Sequence, residues 1–425
     1  MVSIHEAELA LSGQAVSSLF ASLYQGRAAE EKARYRDALR RFSALYGDAV
    51  PVSIFSAPGR TEIAGNHTDH NCGLVLAAAI DADVVAVVSA RDDGRIALQS
   101  EGMPSALVDL SDLSVQAGEQ HTSAALIRGV AKGLSARGFT VGGFNAYVCT
   151  TIPTGSGLSS SAAFEVLICK IISVLYNKDT VPPVLQAQIG QFAENVYFGK
   201  PCGLMDQLAS ASGACVSIDF LDAANPIVEG ATLDLDRQGF SLCLTAAGGG
   251  HENLTPLYAA IGEEMRDVAA LCGVSHLGFL TEADFYKKLP VLRGQVSDRA
   301  LLRAVHFFSD CSRVKEALAA LRGGDFAAFL SAVRASGVSS ALYLQNCAVY
   351  DCPAEQPLLL ALALSEKLLL SRGAWRIHGG GFAGTIQAFV PKDLLPLYQS
   401  EMDKLFGEGA CRAYSVRPFG AVQVL

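Results

Sequence analysis

The sequence has few charged residues and no basic excess. Charged residues make up 18% of its 425 residues, below the roughly 25% of ordinary soluble domains. The formal net charge is −9, which argues against nucleic acid as the main partner, because such binders concentrate Lys and Arg on one face. Half of the residues are hydrophobic, so the chain can bury large cores. Its length predicts two domains of roughly 200 residues each.

Paired cysteine spacing is also missing. The 11 cysteines, from Cys72 to Cys411, include no CxxC pair, which disfavours a zinc ribbon or a disulfide framework and favours reduced thiols. The chain does not open with a basic segment followed by a long apolar run, and its most apolar stretch, 73–90, contains Asp81 and Asp83. These absences predict a cytoplasmic protein that has neither a membrane nor a nucleic acid as partner.

Periodicity predicts the main elements. Residues 14–46 have the apolar spacing of an amphipathic helix. Residues 84–90 and 95–100 flank an Asp-Asp-Gly turn and predict a β-hairpin. A strand at 144–150 precedes a helix at 159–176, and another helix is predicted at 185–198. Further along, the pattern predicts helices at 258–271, 301–321 and 357–370 and a strand at 385–390.

A glycine-rich segment joins the strand at 144–150 to the helix that follows. Its glycines let backbone amides converge on one point, and the start of the helix adds unpaired N–H groups and partial positive charge. The GxxxxGK[ST] loop is absent, and Ser160 stands where a dinucleotide fingerprint has its third glycine. The segment favours phosphate binding, and the alternative is a glycine turn with a serine N-cap.

Two further segments carry chemistry. Nine of the thirteen residues 59–71 are polar or charged, and such a run is expected outside the core because each group would need a buried partner. Neighbouring Asn, His and Asp suit sugar hydroxyls, which both donate and accept; a solvated loop is the alternative. Asp206 lies beside the apolar Leu204 and Met205, where desolvation would raise its basicity. The alternative for Asp206 is a helix cap.

Together these segments resemble the galactokinases, within the family of small-molecule kinases named for galacto-, homoserine, mevalonate and phosphomevalonate kinases. Four ordered motifs carry the resemblance, which spans about residues 50–425: residues 58–71, 153–163, 201–207 and 379–384. It implies an α+β fold of two domains with the active site in the cleft between them. Residues 1–225 would form a ribosomal-protein-S5-like domain with an N-terminal helical extension, and residues 226–425 a ferredoxin-like domain.

The resemblance also implies roles. ATP would be the co-substrate, and its γ-phosphoryl group would go to the C1 hydroxyl of galactose. Asp206 would act as the base or orient that hydroxyl, while Arg60 would stabilise the transferred phosphoryl group and keep Asp206 ionised. Mg²⁺ would be held by Ser161 and Glu194. The nucleotide phosphates would be bound by Gly155, Ser156, Gly157, Leu158, Ser159, Ser160 and Ser161, and the sugar by Asn66, His67, Asp69, Gly203 and Tyr258.

Two positions depart from the pattern of galactokinases, which usually carry Glu where this chain has Asn66 and often Tyr where it has His70. Charge-assisted hydrogen bonds are roughly twice as strong as neutral ones, so we expect altered recognition of one sugar hydroxyl. A kinase for another monosaccharide is therefore one alternative. A catalytically silent sensor of galactose and ATP is a second, although the intact phosphate segment argues against it. We expect a monomer, with a weak homodimer as the alternative.

Overall fold

The computed structural model describes residues 1–153, 157–248 and 254–425. Gly155 and Ser156 of the expected phosphate segment lie outside the described residues. The helices are α1 Ile4–Ala10, α2 Gln14–Tyr24, α3 Ala28–Tyr46, α4 Ser123–Ser135, α5 Ser160–Asn177, α6 Pro183–Phe192, α7 Met205–Ser212, α8 Leu235–Gln238, α9 Thr255–Leu271, α10 Glu282–Leu292, α11 Asp298–Gly323, α12 Phe326–Ser339, α13 Pro357–Leu369 and α14 Leu395–Phe406. The strands are β1 Ser53–Ala64, β2 Leu74–Arg91, β3 Arg95–Ser100, β4 Ala106–Asp109, β5 Gly143–Thr150, β6 Cys215–Asp219, β7 Ile227–Ala231, β8 Phe240–Gly248, β9 Ala374–His378, β10 Gly384–Pro391, β11 Cys411–Tyr414 and β12 Val422–Gln423.

These strands form two sheets, and the C-terminal strand β12 returns to the sheet that contains β1. The larger has eight strands in the order β12-β1-β2-β5-β3-β4, with β6 paired to β2 and β7 paired to β6. The smaller has the order β11-β8-β10-β9. Helices and sheets combine as the α+β expectation requires. The expected domain boundary at 225 falls just before β7, which still pairs with the first sheet, and that boundary stays a prediction.

The predicted β-hairpin is wrong. Strand β5 lies between β2 and β3, antiparallel to β2 and parallel to β3. The Asp-Asp-Gly link therefore reverses the chain across the start of β5 instead of joining neighbouring strands. Gly143 makes room for this crossing, because a Cβ there would lie 2.4 Å from the carbonyl oxygen of Arg95. A turn signal fixes the local reversal of the chain but does not determine which strand becomes the neighbour.

The long apolar run of β2 is explained by burial on both of its faces. Val84, Ala86 and Val88 pack into the main core with α4–α7, whereas Val85 and Val87 pack against the N-terminal helices α1–α3. Successive side chains of a strand point to opposite faces, so a strand covered on both sides has no polar alternation. The N-terminal extension thus forms the second layer over the large sheet.

The other predicted helices are confirmed, with one interruption. The helix predicted over 14–46 is divided into α2 and α3 by a turn at Gln25–Arg27, where Gln25 has a φ of 29°. The helix predicted at 185–198 corresponds to α6 followed by a π-helical turn, Ala193–Phe198. All 11 cysteines are free thiols. Two helical segments, Ser160–Asn177 and Phe326–Leu344, are long and apolar enough to cross a membrane, but 61% and 50% of them are buried inside the fold.

Candidate active site

A cavity of about 580 Å³ lies between the two halves of the chain. Its wall is formed by the end of β1 and the loop after it, the start of α7, helix α9, and the glycine turn after β9. The wall includes Arg60, Glu62, His67, Asp69, Lys200, Gly203, Asp206, Tyr258, Gly379 and Gly380. Segments far apart in the sequence therefore meet at one cavity.

Arg60 and Asp206 form a two-pronged ion pair in this wall. Arg60 donates from Nε to Asp206 Oδ1 at 2.7 Å and from Nη2 to Oδ2 at 2.6 Å. A β-bulge just before Arg60 shifts the register of β1 against β2, and such bulges re-aim side chains beside active sites. The Asp206 side chain is 27% exposed and that of Arg60 only 6%, so the carboxylate is the member of the pair open to the cavity.

The electrostatics of Asp206 favour its ionised form. Burial raises the pKa of Asp206, but the charge of Arg60 and hydrogen bonds from Arg60 and Ser159 outweigh burial, so the pKa lies below its ordinary value. A carboxylate with a lowered pKa is a weak base. Its geometry and charge therefore suit the alignment of a hydroxyl nucleophile better than early removal of its proton.

The described part of the phosphate segment lies against this ion pair. Arg60 donates from Nη1 to the carbonyl oxygen of Gly157 at 2.5 Å, and the Ser159 hydroxyl donates to Asp206. Ser159 has a φ of 57° and directly precedes α5, whose start supplies unpaired N–H groups. Leu158 is buried and Ser160 exposed. This proximity brings the start of α5 and the acid–guanidinium pair together, as the sequence predicts.

Ser161 and Glu194 are brought together too. The Ser161 hydroxyl donates to Glu194 Oε1 at 2.9 Å, and Gln207 Nε2 donates to Oε2 at 3.0 Å. Glu194 lies in the π-helical turn after α6 and is 2% exposed, and its cationic neighbour, Lys200, is 3.4 Å away with a side chain 62% exposed. The exposed Lys200 neutralises the buried carboxylate only weakly. A hydroxyl beside such a carboxylate fits Mg²⁺, which binds oxygen ligands and takes only a few of them from the protein.

Four of the expected sugar-binding residues lie in the cavity wall. His67 has a φ of 58° and donates from Nε2 to the carbonyl oxygen of Gly380 at 2.9 Å. Burial and then the neighbouring His70 lower the pKa of His67 to about 4, so its ring is neutral at pH 7. A Cβ on Gly203 would lie 2.2 Å from Asp69 Oδ2, and the Tyr258 hydroxyl donates to Gly381. Binding of a sugar by these residues stays a prediction.

Asn66, the fifth expected sugar-binding residue, is 0% exposed and does not line the cavity. Its Nδ2 donates to Glu62 Oε1 at 2.9 Å and to the carbonyl oxygen of Gly379 at 2.8 Å. Its Oδ1 accepts from Asn346 at 2.8 Å, and its backbone N–H donates to Asp310 at 2.9 Å. The amide therefore lies behind the wall, fully engaged by the protein.

The expectation that residues 59–71 lie outside the core is wrong. Thr61, Glu62, Asn66, Thr68 and Asn71 are at most 3% exposed. The rule that a buried polar group needs a partner still holds, because the C-terminal half supplies many of the partners. Local sequence shows none of these long-range partners: Asp310, Asn346, Arg376 and Gln387.

Sequence reasoning missed several residues around the cavity. Glu62 lies within the quoted motif, two positions after Arg60, and its carboxylate beside that arginine was a usable signal. Arg376, which pairs with Glu62 at 2.7 Å, follows Trp375 in β9 and carried no motif. His306 donates from Nε2 to the backbone oxygen of Asn66 at 2.8 Å and accepts from Ser339. It thereby supports the loop from below.

Known families match two parts of the chain. A match described as "Galactokinase galactose-binding signature" covers residues 40–90, which include Arg60. A match described as "GHMP kinases N terminal domain" covers residues 125–214, which include Ser161, Glu194 and Asp206. The chain is also 34% identical over 350 residues to a galactokinase from Streptomyces coelicolor, over 82% of this chain and 87% of that protein.

Solved structures share the fold. A galactokinase from Lactococcus lactis complexed with galactose matches with a TM-score of 0.77 and 23% identity, over 90% of this chain and 98% of that one. A D-glycero-D-manno-heptose 1-phosphate kinase from Bacteriodes thetaiotaomicron matches with a TM-score of 0.58 and 17% identity, over 88% of this chain and 98% of that one. The expected α+β fold of this kinase family is confirmed by these likenesses, and the ribosomal-protein-S5-like and ferredoxin-like domains stay predictions.

Proposed function

The chain belongs to the galactokinase family, and from this premise we propose that its cavity takes up galactose and ATP and transfers the γ-phosphoryl group to the C1 hydroxyl of the sugar. The products are galactose 1-phosphate and ADP. The observation that carries the proposal is the Arg60–Asp206 ion pair, which lies in the wall of a cavity of about 580 Å³. The same guanidinium contacts the segment before α5, at Gly157.

Asp206 holds the nucleophile in this proposal. The C1 hydroxyl donates a hydrogen bond to the Asp206 carboxylate, which aims the oxygen at the γ-phosphorus. The C1 oxygen bonds to that phosphorus as the bond to the bridging oxygen of ADP breaks, and the proton leaves through the carboxylate. Because the pKa of Asp206 is lowered by Arg60 and Ser159 against the effect of burial, proton loss comes late. Phosphoryl transfer needs positioning and charge stabilisation more than early deprotonation.

Arg60 has two tasks. Its Nε and Nη2 keep Asp206 ionised, and its Nη1, bound to the Gly157 oxygen at 2.5 Å, lies beside the start of α5. There its charge stabilises the negative charge on the transferred group, as arginine does in other phosphoryl transfers. Gly157, Leu158, Ser159, Ser160 and Ser161 bind the nucleotide phosphates in the same proposal through backbone N–H groups and hydroxyls.

Ser161 and Glu194 are proposed as the protein ligands of Mg²⁺. When bound, this ion would neutralise phosphate charge and fix the position of the triphosphate. Among the residues that the structure describes, no group of three His, Cys, Asp or Glu side chains could hold a metal. A Mg²⁺ site built from one hydroxyl and one carboxylate does not require such a group.

The setting of the reaction is also part of the proposal. A cytoplasmic location agrees with 11 free cysteines, and a monomer is the expected assembly. His67, Asp69, Gly203 and Tyr258 bind the sugar from around the cavity, which they line.

A coupled assay of ADP release tests the proposed function. The acceptors are galactose, glucose, talose, arabinose and the N-acetylated hexosamines, each with ATP and Mg²⁺. We expect galactose to be the best acceptor. A different best acceptor would make the chain a kinase for another monosaccharide, and absence of turnover with every sugar, together with binding of galactose and ATP, would make it a sensor.

A further inference from the structure

Glu62 is a charged residue in a strand that is buried along its whole length. Strand β1 is buried at every position, and the Glu62 side chain is 4% exposed. A buried carboxylate is costly unless it is paired and hydrogen-bonded. Arg376, which is 0% exposed, supplies the pairing charge from β9 through Nη2 at 2.7 Å. The pair joins the two halves of the chain directly behind the cavity.

The two oxygens of Glu62 have different surroundings. Both Arg376 Nη2 and Asn66 Nδ2 donate to Oε1, at 2.7 and 2.9 Å. No hydrogen bond from the described residues ends on Oε2, and Oε2 is not among the side-chain atoms sealed from solvent without a partner. Since Glu62 lines the cavity, its open oxygen is the one that faces the ligand space.

Asn66 has no such open group. Its two amide hydrogens go to Glu62 and Gly379, and its oxygen accepts from Asn346 and, at 3.4 Å, from Ser340. It does not line the cavity. The geometry thus separates two tasks, because Asn66 holds the carboxylate and Glu62 reaches the cavity.

We infer that Glu62 is a specificity-determining residue, whose Oε2 accepts a hydrogen bond from one sugar hydroxyl other than the hydroxyl at C1. Asn66 and Arg376 are its positioning residues, since both fix Oε1. The inference rests on the proposed function for the class of ligand. A fixed carboxylate acceptor favours a sugar with a hydroxyl at the matching place, and it is left unpaired by a sugar without one. The charge that galactokinases usually carry at position 66 is thus supplied here from position 62.

Calorimetric titration of sugars without ATP tests the inference. Wild type and Glu62→Gln are each titrated with galactose and with its 2-, 3-, 4- and 6-deoxy forms. We expect Glu62→Gln to raise the Kd of galactose about 10- to 100-fold, the range for loss of a hydrogen bond to a charged group. One deoxy sugar should bind the two proteins equally, because it lacks the hydroxyl that Glu62 recognises.

Glu31→Gln is the matched control. Glu31 is also a buried glutamate, 2% exposed and paired with arginine, but it lies in α3 and does not line the cavity. Its variant should leave every sugar Kd unchanged. If Glu62→Gln does not fold because Arg376 is left unpaired, the double variant Glu62→Gln/Arg376→Met removes the stranded charge and is titrated instead.

The outcomes separate the inference from the proposed function. If Glu62→Gln weakens the binding of all five sugars equally, or of none of them, the role of Glu62 is overturned, whatever the turnover of wild type. A wild type that binds galactose but does not phosphorylate it overturns the proposed function, and a loss confined to sugars that keep one particular hydroxyl would still support Glu62. A wild type that binds none of the five sugars overturns the role of Glu62, and its result in the ADP-release assay decides the proposed function separately.

Discussion

Two groups of buried residues in this chain both pair carboxylates with arginines, but only one of the groups lines the cavity. The first, here named the Asp83 cluster, lies beneath the N-terminal helices. Asp83 is 0% exposed; its Oδ1 accepts from Arg34 at 2.5 Å, and its Oδ2 accepts from Tyr24, Ser56 and Arg417. Both oxygens are satisfied by the chain itself. The cluster ties the N-terminal extension, β1, β2 and the C-terminal segment together.

The second group lies in the cavity wall, where a ligand can reach it, and is here named the open group; the Asp83 cluster is the closed group. Arg60 pairs with Asp206, whose side chain is 27% exposed. Arg376 pairs with Glu62, whose Oε2 has no donor among the described residues. A buried acid that lines no cavity holds elements of the fold together, whereas an acid in a cavity wall can bind a ligand. Burial and ion pairing alone do not tell the two apart, but a position in the cavity wall does, because Asp206 and Glu62 line the cavity and Asp83 does not.

The largest expected effect is on turnover, at the open group. Asp206→Ala should lower kcat by about 10²–10⁴-fold, because it removes the group that orients the nucleophile. Galactose binding, measured by calorimetry, should be largely kept. A near-normal kcat in Asp206→Ala would contradict the contrast between the two groups, because Asp206 would then have no role in turnover.

The second effect is on stability, at the closed group. Arg417 is 0% exposed, and Arg417→Met leaves Asp83 without one of its two guanidinium partners. We expect a loss of about 3–5 kcal/mol in the free energy of unfolding, the range for breaking a buried ion pair. Urea denaturation measures it, and the kcat of the folded variant should match that of wild type.

Arg372→Met is the control for that variant. Arg372 pairs with Asp393 at 2.7 Å, but both side chains are more than half exposed, and exposed pairs contribute about 0–1 kcal/mol. Similar losses in the two variants would mean that the Asp83 cluster adds nothing to stability beyond a surface contact.

Much of this organisation was predictable from sequence. The motif segments that contain Arg60, Ser161 and Asp206 were recognised. The structure places Arg60 and Asp206 in one cavity wall, with Gly157 and Ser159 of the third segment bound to them. Helices with strong periodicity, such as α11 and α13, were also predicted. These features are local, since spacing within a segment determines the helix face, the glycine turn and the helix start.

The rest depends on contacts between distant segments. The pairing of β3 with β5 follows from a chain crossing that the turn sequence does not specify. The burial of Glu62 and Asn66 requires Arg376 and Asp310, more than 200 residues away. No property of residues 59–71 alone shows that partners exist, so a solvated loop was the natural expectation.

The third effect concerns the proposed metal ligands, Ser161 and Glu194. Ser161→Ala removes a hydroxyl bound to Glu194 at 2.9 Å, and we expect the Mg²⁺ concentration for half-maximal activity to rise about tenfold. Titration of ADP release with MgCl₂ at fixed ATP measures it. Ser160→Ala is the control, because the neighbouring hydroxyl makes no hydrogen bond to Glu194 and should change the KM of ATP instead. An unchanged Mg²⁺ requirement in Ser161→Ala would remove Ser161 from the site.

The smallest effect is a dependence of stability on pH. The pKa of His67 is lowered to about 4 by burial and by His70, so between pH 6.5 and 4 the unfolded chain binds a proton at this residue that the folded chain does not. The contribution of His67 to stability is therefore complete above pH 6.5 and is lost as the pH falls through this window. Asp83 contributes no loss there, because the pKa of its carboxyl is lowered from an already low value, Arg34 and Arg417 outweighing burial.

His67→Gln isolates that effect, because an amide can still donate to Gly380 but does not titrate. Burial raises the pKa of Glu31 and Asp81, and these carboxyls change stability with pH in the opposite direction. The pH dependence of wild type alone therefore does not report on His67, whereas the difference between wild type and variant does. We expect wild type to lose about 1 kcal/mol more than His67→Gln between pH 7 and pH 5.5, measured by urea denaturation at both values. Equal losses would mean that the pKa of His67 is the same in the folded and the unfolded chain. The position of His67 in the cavity wall would then have no effect on its protonation.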